Sequence, residues 1–210
     1  SLLFNWQIVF ATFIFALQLI MIFFATYQTL IGYAGLRIHK PIPLKPPKNK
    51  FAVIVAAHNE EAVIEEICKN LKQLDYPKDL FDVYVIADNC TDKTAELVRK
   101  QQVQVFERFD DKKRGKGYAL EWMFEKLWEL EKDGKKYDAV VMFDADNLVS
   151  RNFLKVVNTK LLNGAEVIQG YLDSKNPKDS WITKAYAFSY WATNRIYQLS
   201  REKLGLSAQI

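Results

Sequence analysis

Thirty-six residues without a single charge open this chain. From Trp6 to Leu36 they are nearly continuous in Ile, Leu, Phe, Ala and Val, with Gln7, Thr12, Gln18, Thr26, Gln28 and Thr29 as uncharged polar interruptions. At 1.5 Å per helical residue about 20 residues cross a bilayer core, and this run is longer. A secretory signal fits poorly, since there is no basic leading segment, no small-residue cleavage site before Arg37 and too long an apolar run. A buried soluble helix would rarely stay uncharged for so long. The segment 1–36 therefore predicts a transmembrane helix in a lipid bilayer. Arg37, His39, Lys40, Lys45, Lys48 and Lys50 follow it at once. By the positive-inside rule they place the remainder on the cytoplasmic side of the plasma membrane. Residues 37–50, with Pro41, Pro43, Pro46 and Pro47, read as a basic, stiff, extended linker.

The charge is unevenly placed. The whole chain carries +4, yet residues 1–50 hold five cations and no acid, so residues 51–210 carry one net negative charge. A nucleic-acid-binding domain would spread positive charge over its folded surface, and none is expected as a partner. The 210 residues are half hydrophobic, enough for one sizeable core and a small extra element. Cys68 and Cys90 are the two cysteines. Neither has metal-type spacing, and both are expected reduced in a cytoplasmic domain.

From residue 51 onward, apolar runs alternate with helix-period stretches. Strands are predicted at Phe51–Ala57, Phe81–Ala87, Val103–Glu107, Ala139–Phe143 and Val167–Tyr171. Helices are predicted at Glu60–Leu74, Asp92–Gln101, Gly117–Glu131 and Arg151–Leu162, and from Asn176-Pro177 to about Lys203. Asn59 reads as a cap of the first of these, with Glu60 and Glu61 facing its dipole. The aromatic run Trp181–Tyr197 suits either core packing or a membrane interface. The alternation implies a mostly parallel sheet with helices on both faces, an α/β domain over 51–210. Such sheets bind ligands outside the carboxyl ends of their strands.

Three polar clusters fall at such ends. Ala57-His58-Asn59-Glu60 follows the first strand, Asp88-Asn89-Cys90-Thr91-Asp92 the second, and Asp144-Ala145-Asp146 the fourth. The fourth strand's apolar run reads as buried. Two carboxylates one residue apart offer the oxygen ligands that Mg²⁺ or Mn²⁺ prefers. The loop Arg108 to Gly117 adds cations and glycines at a helix N-terminus, a place suited to a bound anion. Alone, that loop reads as a solvated charged turn, and it lacks the Gly-x₄-Gly-Lys-Ser/Thr pattern of a P-loop. Alone, Asp88 reads equally as a turn former. A cation for phosphate beside a carboxylate pair for a metal explains both clusters together, since a diphosphate needs both. His58 reads as structural or as a pocket wall.

Taken in order, these residues resemble the family-2 glycosyltransferases, inverting enzymes of the GT-A fold that use nucleotide sugars. The resemblance rests on Ala56-Ala57-His58-Asn59-Glu60, Asp88-Asn89-Cys90-Thr91-Asp92-Lys93-Thr94, Arg114-Gly115-Lys116-Gly117-Tyr118-Ala119-Leu120, Asp144-Ala145-Asp146 and Val167-Ile168-Gln169-Gly170. With the N-terminal membrane helix, the chain is similar to the membrane-integrated synthases of cellulose, hyaluronan and poly-N-acetylglucosamine. The resemblance implies a UDP-sugar donor, a Mg or Mn ion, and a saccharide or lipid-linked acceptor. It implies that Ala57, Glu60 and Asp88 contact the nucleoside and Lys116 the diphosphate. It also implies that Asp144 lies at the ribose and metal, that Asp146 ligates the metal, and that Gln169 follows on the donor side.

The family's general base, in a Thr/Ser-Glu-Asp-like motif, and the synthases' Gln-x-x-Arg-Trp motif are not in these residues. The resemblance puts that base downstream of Ile210, so the chain reads as stopping before the acceptor half of the site. Two alternatives to polysaccharide synthesis stay open at this point. One is sugar transfer to a lipid-phosphate carrier. The other is a non-catalytic nucleotide-sugar-binding module.

Overall fold

The structure, a computed structural model, describes residues 2–36, 42–170, 184–185, 188–189 and 192–205. The chain forms two compact units, residues 42–168 and residues 1–41 with 169–210. In the second of these, α1 spans Leu2–Leu36, and its Asn5–Tyr33 stretch, at a mean hydropathy of 2.6, is long and apolar enough to cross a membrane. Two of its threonine hydroxyls bond back to the helix. Thr12 Oγ1 donates to Ile8 O at 2.9 Å and Thr29 Oγ1 to Ala25 O at 2.7 Å, so neither leaves a polar group unpaired on the apolar surface. α1 packs on a π-helical turn, Thr193–Gln198, and on the short helix that continues it, Leu199–Lys203. Of the helix expected from Asn176 to about Lys203, residues 184–185, 188–189 and 192–203 are described and helical, while Trp181, Tyr186, Tyr190 and Trp191 of the aromatic run lie outside the described residues.

Residues 42–168 hold a four-stranded sheet in the order β3-β2-β1-β4, every pair parallel. The strands are β1 Phe51–Ala57, β2 Phe81–Asp88, β3 Gln104–Arg108 and β4 Ala139–Asp144. The connecting helices are α2 Ile64–Lys72, α3 Thr94–Lys100, α4 Lys116–Lys132 and α5 Phe153–Leu162. Strand periodicity splits the core in two. Phe51, Val53, Val55 and Ala57 turn to one face, against Ile64, Ile67 and Leu71 of α2, Val98 of α3 and Leu154 and Val157 of α5. Ala52 and Ile54, with Tyr84 and Ile86 of β2, turn to the other, beneath Ala119, Met123 and Leu127 of α4. Each fully buried large side chain contributes roughly 1.5–3 kcal/mol of burial, and β1 is flanked on both edges and both faces. The expected doubly covered parallel sheet is present.

Three local expectations change. β4 is not a buried strand. It lies at the sheet edge, and Val140 and Met142 are 37% and 50% exposed, because α4 covers β1 and β2 but stops short of β4. The strand expected at Val167–Tyr171 is absent from its described part, since residues 167–170 carry no regular structure and Val167 is exposed. A short apolar run has no strand identity without a ladder partner. Asn59 does not cap a helix. Its φ of 55° and a separate turn over 61–63 delay α2 to Ile64.

The described part of the linker, residues 42–50, is extended as expected but is not a free spacer. It is strapped along α5 by Asn158, whose side chain is fully buried. Asn158 Oδ1 accepts from the Lys48 and Asn49 amides, both at 3.1 Å, and from Tyr76 Oη at 3.2 Å. Its Nδ2 donates to Pro46 O at 3.0 Å. The neighbouring Thr159 Oγ1 accepts from the Lys45 amide at 2.9 Å. Asn158→Ala strands several buried donors and acceptors at once. It is expected to lower the stability of this unit by about 1–3 kcal/mol, read as a lower urea midpoint at unchanged slope.

Candidate functional site

The carboxyl ends of β1 and β2 open into a cavity of about 390 Å³, lined by Ala56, Ala57, His58, Glu60, Asp88, Asn89, Arg114, Gly115, Lys116 and Ala119. Its size falls within the range of small-molecule sites. The register explains the gathering. Ala57 pairs with Ala87, Ala56 with Asp144, and Asp88 with Arg108, so the residues ending all four strands stand at one level.

The loop after β1 is fastened to the loop after β2. His58 Nδ1 donates to Asp88 O at 2.7 Å, which puts the ring proton on Nδ1. The Thr91 amide donates to Asn59 Oδ1 at 2.8 Å. The Glu60 amide donates to Thr94 Oγ1 at 2.9 Å, leaving the Glu60 carboxylate at the cavity wall. His58 is thus both structural and a pocket wall. Asp92 continues the fastening, accepting from the Glu61 and Thr94 amides at 3.0 Å each. Partial burial opposes ionisation of Asp92, but these hydrogen bonds outweigh it and hold the carboxyl below its usual range. Both cysteines are free, and burial raises the Cys68 thiol to about 11 and also raises that of Cys90. Both thiols therefore stay protonated near neutral pH.

Asp88 is buried and ion-paired. Arg108 Nη1 donates to Asp88 Oδ1 at 2.6 Å, with both side chains no more than 10% exposed. Arg108 Nη2 donates to Lys113 O at 2.7 Å and reaches Asp110 Oδ2 at 3.4 Å. Asn89 closes the knot. Its Nδ2 donates to Asp88 Oδ1 at 3.2 Å, and its Oδ1 accepts from the Asp110 amide at 2.8 Å. Asp110 Oδ1 in turn accepts from the Lys112 and Lys113 amides at 2.9 Å each, and these bonds hold its carboxyl below the usual range. The sequence suggests an exposed loop cation at Arg108, but it points inward. The signal that could have found it is its position as the last residue of β3, opposite Asp88.

The α4 N-terminus faces the cavity without competition. No side chain caps it and no acid lies in its first turn. Its N-cap, Gly115, has φ 111° and ψ 159°, a region open in practice to glycine alone. The first amides of α4 are therefore available to an anion. Lys116 Nζ donates to Asp144 Oδ1, a pair about half exposed on both sides. Asp146 is exposed, and the Asn147 amide closes the intervening turn onto Asp144 O at 3.1 Å. Gln169 is exposed and falls in the other unit. The general base, expected downstream of Ile210, falls outside the described residues, as does Ile210 itself. Of the residues expected on the donor side, Ala57, Glu60, Asp88 and Lys116 line the cavity, and Asp144 meets Lys116.

Among the described residues no three His, Cys, Asp or Glu side chains converge as a metal cage. Two exposed carboxylates are nevertheless the protein's usual share of a Mg²⁺ or Mn²⁺ shell that substrate phosphates and water complete. Asp144 and Asp146 fit a cation held jointly with a diphosphate.

Residues 46–203 match the family described as "Glycosyltransferase like family 2". The chain belongs to that family. Its fold is also that of a mannosyltransferase from Pyrobaculum calidifontis solved in complex with GDP-Man and Mn²⁺, at a TM-score of 0.50 and 24% identity over 74% of this chain and 45% of that one. The GT-A fold expected from the motifs is thereby established. A β-monoglucosyldiacylglycerol synthase of Nostoc sp. is 35% identical over 108 residues, 49% of this chain and 21% of the relative. The probable glycosyltransferase YdaM of Bacillus subtilis is 33% identical over 108 residues, 47% of this chain and 23% of the relative. The chain thus spans about a fifth of the length of the curated relatives it matches.

Gly115→Ala isolates the backbone requirement at the α4 entry, because an added Cβ would meet nothing within 4 Å. Its strain is expected to cost about 1–3 kcal/mol of stability. Urea unfolding of the variant beside Gly117→Ala, whose φ is not positive, checks it.

Proposed function

We propose that this chain is the donor-binding part of a membrane-anchored, inverting glycosyltransferase that uses a UDP-sugar. The observation that carries the reading is the convergence, around one cavity, of a buried carboxylate at Asp88 and an uncapped helix N-terminus with Lys116, which pairs with Asp144 of the Asp144–Asp146 turn. These are receptors for a base N–H, a diphosphate and a divalent cation, in the order that a nucleotide sugar presents them. Asp88 accepts the imide N–H of uracil, and Ala57 and Glu60 wall the nucleoside. The α4 amides and Lys116 hold the diphosphate, so Lys116 exchanges Asp144 for phosphate oxygen. That exchange is cheap, since an exposed ion pair contributes about 0–1 kcal/mol. Asp144 and Asp146 would hold a Mg²⁺ or Mn²⁺ ion, which would neutralise charge on the departing nucleoside diphosphate. An acceptor hydroxyl then attacks the anomeric carbon from the opposite face. α1 is the anchor, and the basic linker puts the domain on the cytoplasmic side of the plasma membrane.

The acceptor reading we place first is a growing polysaccharide, supported by the resemblance of the ordered motifs to the synthases. The name of the Nostoc relative supports a second, a lipid acceptor. Product analysis with the full-length protein separates polymer from singly glycosylated lipid.

Calorimetric titration of UDP into the full chain in detergent, with and without Mn²⁺, tests the donor site. Mn²⁺ is expected to raise UDP affinity by about tenfold, and Asp146→Ala to remove that gain while leaving metal-free binding unchanged. An equal metal dependence in the variant would overturn the role of Asp146. Tighter binding of GDP than of UDP would overturn the uridine reading.

A further inference from the structure

One buried guanidinium joins a residue of the cavity wall to the loop that leads into α4. Arg108 Nη1 holds Asp88, the residue assigned to the base, and Arg108 Nη2 holds the carbonyl of Lys113, which enters the Arg114-Gly115-Lys116 turn assigned to the diphosphate. Asp110, which accepts from the Lys112 and Lys113 amides, belongs to the same knot. A second strand of the knot runs from Asn89 to Asp110, and Asp110 also meets Arg108 Nη2.

We propose that Arg108 is a positioning residue that couples nucleobase binding to diphosphate binding. The inference rests on the nucleotide-sugar reading above. Its chemistry follows from the shape of the group. Asp88 Oδ1 already accepts from Arg108 and Asn89, so Oδ2 is the oxygen left to meet a ligand. When a base N–H engages Oδ2, the carboxylate plane and therefore the guanidinium plane become fixed. Because guanidinium is rigid and planar, fixing one nitrogen fixes the other, and with it the Lys113 carbonyl and the turn that leads into α4. Ordering the turn for one fragment of the nucleotide lowers the ordering cost left for the other. A lysine at this position keeps the charge but carries a single ammonium centre on a flexible stem, which cannot hold both ends in one plane.

The coupling is measurable with the nucleotide cut in two. In the full chain in detergent, uridine affinity is measured by titration with and without saturating inorganic pyrophosphate. For the wild type, pyrophosphate is expected to tighten uridine binding about fivefold or more. In Arg108→Lys that ratio is expected to fall to one. A purely structural role would weaken either fragment and leave the ratio in place, so the ratio, not the affinity, is the readout. A ratio retained in Arg108→Lys would overturn the inference. So would a wild-type ratio of one, a measurement that needs no variant to fold. If the wild type binds neither UDP nor uridine, the nucleotide-sugar reading falls and the inference falls with it. UDP binding without fragment coupling removes the inference alone.

Discussion

Parallel pairing of β1 with both β2 and β4 is the constraint on which the cavity depends. The ladders set Ala57 beside Ala87 and Ala56 beside Asp144, and β3 adds Arg108 beside Asp88. Side chains alternate along a strand, so a slip of one residue would turn Asp144 away from Lys116 and Ala57 out of the core. β1 itself cannot slip at low cost. Five consecutive side chains from Phe51 to Val55 are fully buried, and they alternate between two different hydrophobic layers. The cavity geometry is therefore fixed by core packing some distance from the chemistry.

Two ion pairs serve that cavity in opposite ways. Arg108–Asp88 is buried, and removing one partner from such a pair leaves an uncompensated charge, a loss of several kcal/mol. It behaves as part of the framework. Lys116–Asp144 is half exposed on both sides, and water and salt screen it to little net value. It can open without disturbing the fold. The cavity thus has a buried framework pair at Asp88, the end proposed to meet the base, and an exchangeable pair at Lys116, the end proposed to meet phosphate and metal. The difference comes from burial, since both are Lys or Arg against Asp.

Motif order was legible in the sequence because strand–helix alternation places every second loop at the same sheet end. That sufficed for Ala57, Glu60, Asp88 and Lys116 around the cavity, and for Asp144 against Lys116. What did not show was direction and edge. Arg108 looks like one more cation of a basic loop, yet the parity of β3 turns it inward to Asp88. Val140 and Met142 read as core by composition, but exposure at β4 depends on where α4 ends its coverage, a tertiary fact. Asn59 has a cap's chemistry and spacing, yet it spends its side chain on the Thr91 amide across the cleft. Asn158 gave no signal, since a polar residue within an amphipathic helix looks solvated until the strand of linker that it binds is in place.

That linker reaches further than its own contacts. The strap on Asn158 delivers the chain to Lys50, where a second set of bonds begins the sheet. The Lys50 amide donates to Asp138 Oδ2 at 2.7 Å, and Lys50 O accepts from the Asp138 amide at 2.8 Å. This clamp stands at the amino ends of β1 and β4, immediately before Phe51 pairs with Ala139. Counting along the ladder from there, the register it starts is the one that sets Ala56 opposite Asp144 at the other end. The linker residues nearest the sheet therefore help to choose which side of β4 presents its carboxylate. A segment that composition marks as a spacer contributes to the alignment of the proposed metal site, because in a parallel sheet the two ends of a strand share one register.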